Sequence, residues 1–185
     1  MKKITLALTL ATMLFAPHVL AHNIQLNTYL PTVNVATDGE LVLKGEKISY
    51  QPWYSKNLAG KVRILHHFAG RSSVKEKNEP LMEAIKAAQL NAEKYQTTTI
   101  INADDAVFGT GSFVKSSAEK GKKSNTRSQV ILDQQSAVKN AWNLKEKESL
   151  IVVLDKNAQV KFIHEGALSA QQVQDVINLV TELTK

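Results

Sequence analysis

The stretch GKVRILHHFAGRSSVKEKNEPL, residues 60–81, decides the fold, because it joins an apolar strand to a helix through a short loop. The nearly continuous apolar run from Val62 to Phe68 is typical of a strand covered on both faces in a parallel or mixed sheet. Ser73 and Glu76 have the S-x-x-E spacing of a capping box, which predicts that a helix begins here. Pro80 falls inside that helix and predicts a kink.

The segments on either side of this junction complete an α/β pattern. Residues 30–53 alternate apolar and polar side chains around Asp38-Gly39, which predicts an N-terminal β-hairpin turning at that dipeptide. Further strands are predicted at 96–101 and 129–132, a helix at 112–120, a hairpin turning at 155–158 and a final helix capped by Ser169 and Gln172. This order predicts a mixed central sheet with helices on both faces.

The first 21 residues have the form of a secretory signal peptide. Lys2 and Lys3 precede an apolar run of about a dozen residues, which is shorter than the roughly 20 that a transmembrane helix needs. A small-residue cleavage site ends at Ala21. We therefore expect residues 1–21 to be removed, and residues 22–185 to form a single soluble domain in the bacterial periplasm, with no membrane span.

Composition excludes several chemistries. The chain has no cysteine, so thiol redox reactions, cysteine nucleophiles, haem attachment and Cys-zinc sites are excluded. Without the two lysines of the predicted signal peptide, 21 basic residues face 17 acidic ones. That mild excess does not by itself predict nucleic-acid binding. Trp53 and Trp142 lack the repeated aromatic and basic spacing of a nucleic-acid surface, and we expect both in or near the core.

The order of elements resembles the secreted thioredoxin-like fold. In the redox members of that fold, a strand ends in a C-x-x-C motif at the start of a helix, and a proline lies five residues after the second cysteine. With Pro80 as that proline, Ser72 and Lys75 occupy the two cysteine positions. The cis-proline of those members would fall at Ser149 or Leu150, so the resemblance implies a member without redox activity.

Four segments resemble one group more closely: GKVRILHHFAGRSSVKEKN, YQTTTIINADDA, GTGSFVKSS and VVLDKNAQV. They are similar to the YtfJ family of small periplasmic proteins of Gram-negative bacteria. The resemblance implies the thioredoxin-like fold, but no reaction. A transcriptional-regulator label is attached to the family, and the signal peptide and the lack of a helix-turn-helix pattern argue against it.

The candidate binding site is the junction itself. The first amides of a helix lack helical partners and its dipole is positive there, and Arg71 and Lys75 add cationic donors beside Ser72 and Ser73. This combination suits a small anion, a peptide carboxylate or a protein partner whose identity the sequence does not give. The alternative is that Ser73 caps the helix while the basic side chains are solvated. We expect no cofactor and incline against catalysis.

Histidines offer a second, less favoured interpretation. Cleavage after Ala21 would make His22 the terminal residue, whose amine and imidazole could chelate copper or zinc together with His66, His67 or His164. Ser72 as a hydrolytic nucleophile would need one of the strand histidines as its base, yet His66 and His67 leave the strand on opposite faces.

A basic segment follows the predicted helix. Residues 120–127 hold four cations, and the sequence favours a solvated loop there. Docking to an acidic partner or to lipid head groups is the active alternative.

Overall fold

A computed structural model describes residues 22–185, in which seven strands form one mixed sheet in the order β2-β1-β5-β4-β3-β6-β7. The strands are β1 (Asn34–Lys44), β2 (Lys47–Tyr54), β3 (Val62–Ala69), β4 (Tyr95–Asn102), β5 (Gln129–Asp133), β6 (Ser149–Leu154) and β7 (Val160–Glu165). The helices are α1 (Ser72–Lys75), α2 (Glu79–Ala88), α3 (Gly111–Ser124), α4 (Ala137–Trp142) and α5 (Ala170–Leu183). Strands β3, β4 and β5 run parallel, and their carboxyl ends therefore lie at one edge of the sheet.

Each face of the sheet has its own apolar core. Leu65 of β3 belongs to the cluster that contains Trp53 and Trp142, on the face covered by α4. Ile64, its neighbour in the strand, packs on the opposite face with residues of α2 and α5. Every residue of β3 is buried, as the apolar run predicted. The α/β architecture with helices on both faces, and the core position of both tryptophans, are confirmed.

The predicted position of the N-terminal hairpin turn is wrong. The chain turns at Gly45-Glu46, between β1 and β2, whereas Asp38 and Gly39 form a bulge within β1, where the register with β2 shifts. Both bulge residues have positive φ, 57° and 73°. The bulge segment pairs with β5 on the other side of β1, so a second strand partner holds it in the sheet.

The basic segment is mostly helical rather than a loop. Helix α3 continues to Ser124 because its inner side is anchored: Ala118 is 2% exposed, and the aliphatic stem of Lys122 is buried. The ammonium of Lys122 donates to the carbonyls of Thr126 and Ser128, at 3.0 and 2.5 Å, so the buried cation keeps polar partners. Helix α4 was not predicted, because six residues are too few to show a helical period.

The C-terminal part follows the prediction. Strands β6 and β7 form the hairpin, and Ser169 and Gln172 form both hydrogen bonds of the capping box that begins α5. Residues 1–21, the predicted signal peptide, lie outside the described part of the chain. Among residues 22–185, no helix is both long enough and apolar enough to cross a bilayer.

Candidate functional site

The strand-to-helix junction lies at the carboxyl edge of the parallel strands. Immediately after β3, the amide of Gly70 donates to the carbonyl of Asn102 at the end of β4, 2.7 Å away. A β-carbon at Gly70 would lie 3.0 Å from that carbonyl oxygen and 3.3 Å from side-chain carbons of Ala106 and Val114. The close approach of β4 and α3 therefore favours glycine here.

Helix α1 is a single turn, Ser72–Lys75, that begins after an extended Arg71. The predicted capping box is wrong, since Ser73 lies inside the turn and no side chain caps it. The amides of Val74 and Lys75 donate to the carbonyl of Arg71, at 3.1 and 3.0 Å, so the turn closes on its own backbone. A 3-10 turn, Glu76–Asn78, follows α1; the helical backbone is broken at Asn78, and α2 begins at the next residue.

Pro80 therefore has a different role from the one predicted. It occupies the first turn of α2 rather than the interior of one long helix. A proline is well tolerated there because the first amides of a helix have no helical acceptor to lose.

The side chain of Arg71 is directed toward the β4–α3 loop and not into solvent. Its Nε donates to the carbonyl of Asp105 at 2.9 Å and its Nη2 to the carbonyl of Ala106 at 3.3 Å, while the Asp105 carboxylate lies 3.8 Å from Nη2. The other carboxylate oxygen of Asp105 accepts the amide of Lys147 at 2.5 Å. The guanidinium thus joins the junction to the loop between β4 and α3, which the sequence did not reveal.

The remaining predicted binding residues face outward. Ser72, Ser73 and Lys75 are exposed, while Val74 between them is 4% exposed and anchors the turn in the core. The junction therefore exposes two hydroxyl groups and one ammonium group to solvent, on a turn that the buried side chain of Val74 anchors to the core. These groups can donate hydrogen bonds to an anionic oxygen.

A buried amide lies beneath this turn. Asn78 is 1% exposed; its Nδ2 donates to Ser149 Oγ at 2.9 Å and to the carbonyl of Gly166 at 3.0 Å, and its Oδ1 accepts the amide of Leu168 at 3.0 Å. Asn78 therefore ties the helix break to the start of β6 and to the turn before α5. Ser149 is one of the two positions at which the resemblance placed a cis-proline.

The two strand histidines are buried and uncharged. Both are 2% exposed, and within residues 22–185 neither Nε2 has a hydrogen-bond partner. Burial lowers the pKa of His66 to about 3, with a smaller contribution from Lys75. Burial likewise lowers the pKa of His67 to about 3, helped by His66 and by Lys139 of α4. The alternation of β3 places them on opposite faces, as predicted.

The third candidate ligand, His22, lies beside the end of α4, where the amide of Asn23 donates to the carbonyl of Trp142 at 3.1 Å. Within residues 22–185, no group of three histidine, cysteine, aspartate or glutamate side chains is arranged to hold a metal ion. The structure therefore does not bring His22, His66 and His67 together as one such group.

The loop that Arg71 holds carries apolar side chains into solvent. Val107 is 50% and Phe108 103% exposed, and Phe113 in the first turn of α3 is 76% exposed. Sequence analysis missed them because an apolar residue near the start of a helix normally predicts burial. The only signal was their position after Asp104-Asp105 and on either side of Gly109 and Gly111.

These features define the class of protein: a thioredoxin-like domain without cysteine. A solved structure of a putative protein disulfide isomerase from Bacteroides thetaiotaomicron matches with a TM-score of 0.60 at 14% identity, over 88% of this chain and 92% of that one. The thioredoxin domain of a thiol-disulfide oxidoreductase from Bacteroides vulgatus matches with a TM-score of 0.57 at 14% identity, over 88% and 100%. At this identity the likeness concerns the fold alone.

The chain belongs to the YtfJ family: residues 24–183 match the family model YtfJ_HI0045, described as a bacterial protein of unknown function. An uncharacterized protein of Haemophilus influenzae is 55% identical over the full length of both chains. The uncharacterized protein YtfJ of Escherichia coli K12 is 45% identical, over 96% of this chain and 97% of that one. The family resemblance inferred from the sequence is confirmed.

Proposed function

We propose that the protein is exported to the periplasm and acts there as a thioredoxin-like binding or adaptor protein without thiol chemistry. The signal-peptide pattern of residues 1–21 supports export, and the absence of cysteine supports the lack of redox activity. The binding site in this proposal is the exposed junction turn, Ser72–Lys75. Cell fractionation and the intact mass of the recovered protein test the first part, with His22 as the expected first residue.

One observation carries the site. Ser72 and Lys75, the two residues that the resemblance places at the cysteine positions of a redox member, are both exposed on a turn that Val74 anchors in the core. A recognition surface gains affinity when its donors are held in place before binding, because less conformational entropy is lost. The hydroxyl and ammonium groups suit a partner that presents carboxylate or other anionic oxygens.

The four candidate residues divide into two roles in this proposal. Arg71 is a positioning residue, since its Nε and Nη2 already donate to Asp105 and Ala106. Ser72, Ser73 and Lys75 are the recognition residues. Replacing Arg71 should therefore disturb the β4–α3 loop, whereas replacing Lys75 should change binding without changing stability.

Site-specific photo-crosslinking in living cells tests the proposal. A photoreactive amino acid at Ser72 should capture a discrete partner, and the same probe at the exposed Asn57, at the opposite end of the sheet, should not. Lys75→Glu should strongly reduce capture at position 72, whereas the matched control Lys56→Glu should leave it unchanged. Equal capture from positions 72 and 57, or capture that survives Lys75→Glu, would remove the junction as the binding site.

A second candidate function is metal binding by His22. Its Nδ1 has no hydrogen-bond partner among residues 22–185, so no protein group within those residues competes with a metal ion for this nitrogen. Metal analysis of protein recovered from the periplasm is the test. Stoichiometric copper or zinc that disappears in His22→Ala would favour this function over a simple adaptor.

A further inference from the structure

Helix α3 presents a solvent-facing side that the proposed function does not use. Ala118 and Lys122 define its inner side, so the positions opposite them point away from the sheet. Phe113 lies at the start of that outer side and Lys120 two turns further on, separated by the exposed Ser116 and Ser117. We name this surface the outer side of α3, together with the preceding turn 107–110 and the following Lys123 and Arg127.

One end of the surface is aromatic and rigid. The turn 107–110 closes through hydrogen bonds from the amide and the hydroxyl of Thr110 to the carbonyl of Val107, at 3.0 and 2.6 Å. Gly109 supplies the positive φ of 80° that this turn requires. Phe108 at the tip is 103% exposed, and Arg71 fixes the base of the loop. The aromatic ring of Phe108 is thus held in water, and its transfer to an apolar environment would be favourable.

The other end is basic. Lys120, Lys123 and Arg127 are exposed, and none of them forms an ion pair within residues 22–185. Glu119, the acidic residue of α3, does not neutralise these cations, because its carboxylate is turned toward the sheet and accepts a hydrogen bond of 2.6 Å from the hydroxyl of Tyr50 in β2. The outer side therefore combines projecting aromatic rings with a run of uncompensated positive charge.

We propose that the outer side of α3 docks the protein onto an anionic lipid bilayer. Phe108 and Phe113 enter the boundary between head groups and acyl chains, and the three cations bind lipid phosphates. Charge complementarity favours an anionic surface. The full exposure of Phe108 favours a lipid bilayer over a rigid protein surface, because a projecting ring inserts into lipid without needing a pocket of matching shape.

The geometry fits this mode of binding. Phe113, Ser117, Lys120 and Ser124 follow each other at helical spacings of three or four residues, so they share one side of a helix about 21 Å long. Such a helix lies along a membrane surface with its aromatic and basic side chains toward the lipid. The polar serines between them remain at head-group level.

Vesicle co-sedimentation tests the proposal. The protein is recovered from cells that express the full-length chain, and is mixed with vesicles of phosphatidylcholine alone or with about 30% phosphatidylglycerol added. We expect binding to the anionic vesicles, much weaker binding to the neutral ones, and loss of the charge-dependent part at about 0.5 M salt. Equal binding to both compositions would overturn the proposal.

Variants locate the surface. The triple variant Lys120→Gln, Lys123→Gln, Arg127→Gln should bind on the order of 100-fold more weakly, at roughly fivefold per cation. Phe108→Ser should bind about tenfold more weakly. Thermal unfolding of each variant checks that the fold is kept, which the exposure of all four side chains leads us to expect.

Two control variants match these changes in chemistry but not in place. The first control, Lys56→Gln with Lys86→Gln and Lys156→Gln, removes three exposed cations that lie before β3, on α2 and in the β6–β7 turn. The second control, Leu26→Ser, removes an exposed apolar side chain of the N-terminal segment. Both controls should bind vesicles like the parent protein. Equal losses of vesicle binding in the controls and the α3 variants would overturn the proposal. Vesicle binding that is the same in the parent protein and in every variant would also overturn it, because it would place the contact elsewhere, for example in an uncleaved leader.

A soluble acidic polymer, polyglutamate, separates lipid from an acidic protein partner. Tight binding of polyglutamate that depends on Lys120, Lys123 and Arg127 but not on Phe108, without vesicle binding, would identify an acidic macromolecule instead and overturn the lipid assignment. Vesicle binding that needs both the cations and Phe108 supports it.

Discussion

Asn78→Ala should be one of the most damaging polar substitutions in this protein. The Asn78 side chain is 1% exposed and holds three segments together through hydrogen bonds of 2.9 to 3.0 Å. Removing it takes these bonds from the carbonyl of Gly166 and the amide of Leu168, which are partly buried, and from the buried hydroxyl of Ser149. At about 1 kcal/mol for each of the three hydrogen bonds, the expected loss is about 3 kcal/mol of unfolding free energy.

Urea and thermal unfolding measure this loss. For a domain of this size, about 3 kcal/mol corresponds to a fall in Tm of roughly 6–12 °C. Asn57→Ala is the matched control, because Asn57 is the same residue type in an exposed position and should change stability by less than about 0.5 kcal/mol. A loss below about 1 kcal/mol for Asn78→Ala would contradict this role of Asn78, since it would mean that water replaces the buried amide at little cost.

Two further predictions concern the bulge and the buried histidines. Gly39→Ala should destabilise by more than about 2 kcal/mol, because its β-carbon would collide with the backbone carbonyl of Gln51. Gly45→Ala has a similar positive φ but nothing within 4 Å of its β-carbon, and should cost about 1 kcal/mol in the same urea titration. Equal losses would mean that backbone strain rather than the steric contact dominates. Burial lowers the pKa of His66 and of His67 to about 3 in the folded protein, whereas an imidazole in the unfolded chain has a pKa of about 6.5. Below pH 6.5 the unfolded chain therefore binds protons at these histidines and the folded chain does not. The free energy of unfolding should decrease as the pH is lowered from 6.5 to 5, by up to about 1.4 kcal/mol per pH unit for each histidine. His67→Gln should reduce that slope, and a pH-independent urea midpoint would contradict neutral, buried histidines.

Part of the candidate site could be read from the sequence. The strand, the glycine after it and the start of a helix are local features, and the structure has them where the sequence predicted them. Binding by Ser72, Ser73 and Lys75 stays a prediction. The role of Arg71 could not be predicted, because its acceptors are carbonyls of Asp105 and Ala106, more than 30 residues away along the chain. A backbone carbonyl carries no side-chain signal, so only the meeting of β3 and β4 reveals this contact.

The same limit explains the errors in secondary structure. Asp38-Gly39 is a strong local turn signal, yet pairing with β5 on one side and β2 on the other keeps it in a strand as a bulge. Residues 120–124 are polar enough to predict a loop, yet the burial of Ala118 and Lys122 against the sheet extends α3 through them. In both cases tertiary contacts outweigh local propensity.

Side-chain period, local hydrogen bonding and composition were enough to predict the α/β class, the buried β3 and the capping box of α5, and composition alone shows that cysteine is absent. Tertiary contacts were needed to show that α1 is a single turn separated from α2 at Asn78, and that Arg71 faces inward. They were also needed to show that Phe108 projects into solvent. These features depend on contacts between residues distant in sequence, and the free energy of those contacts has no counterpart in a local pattern.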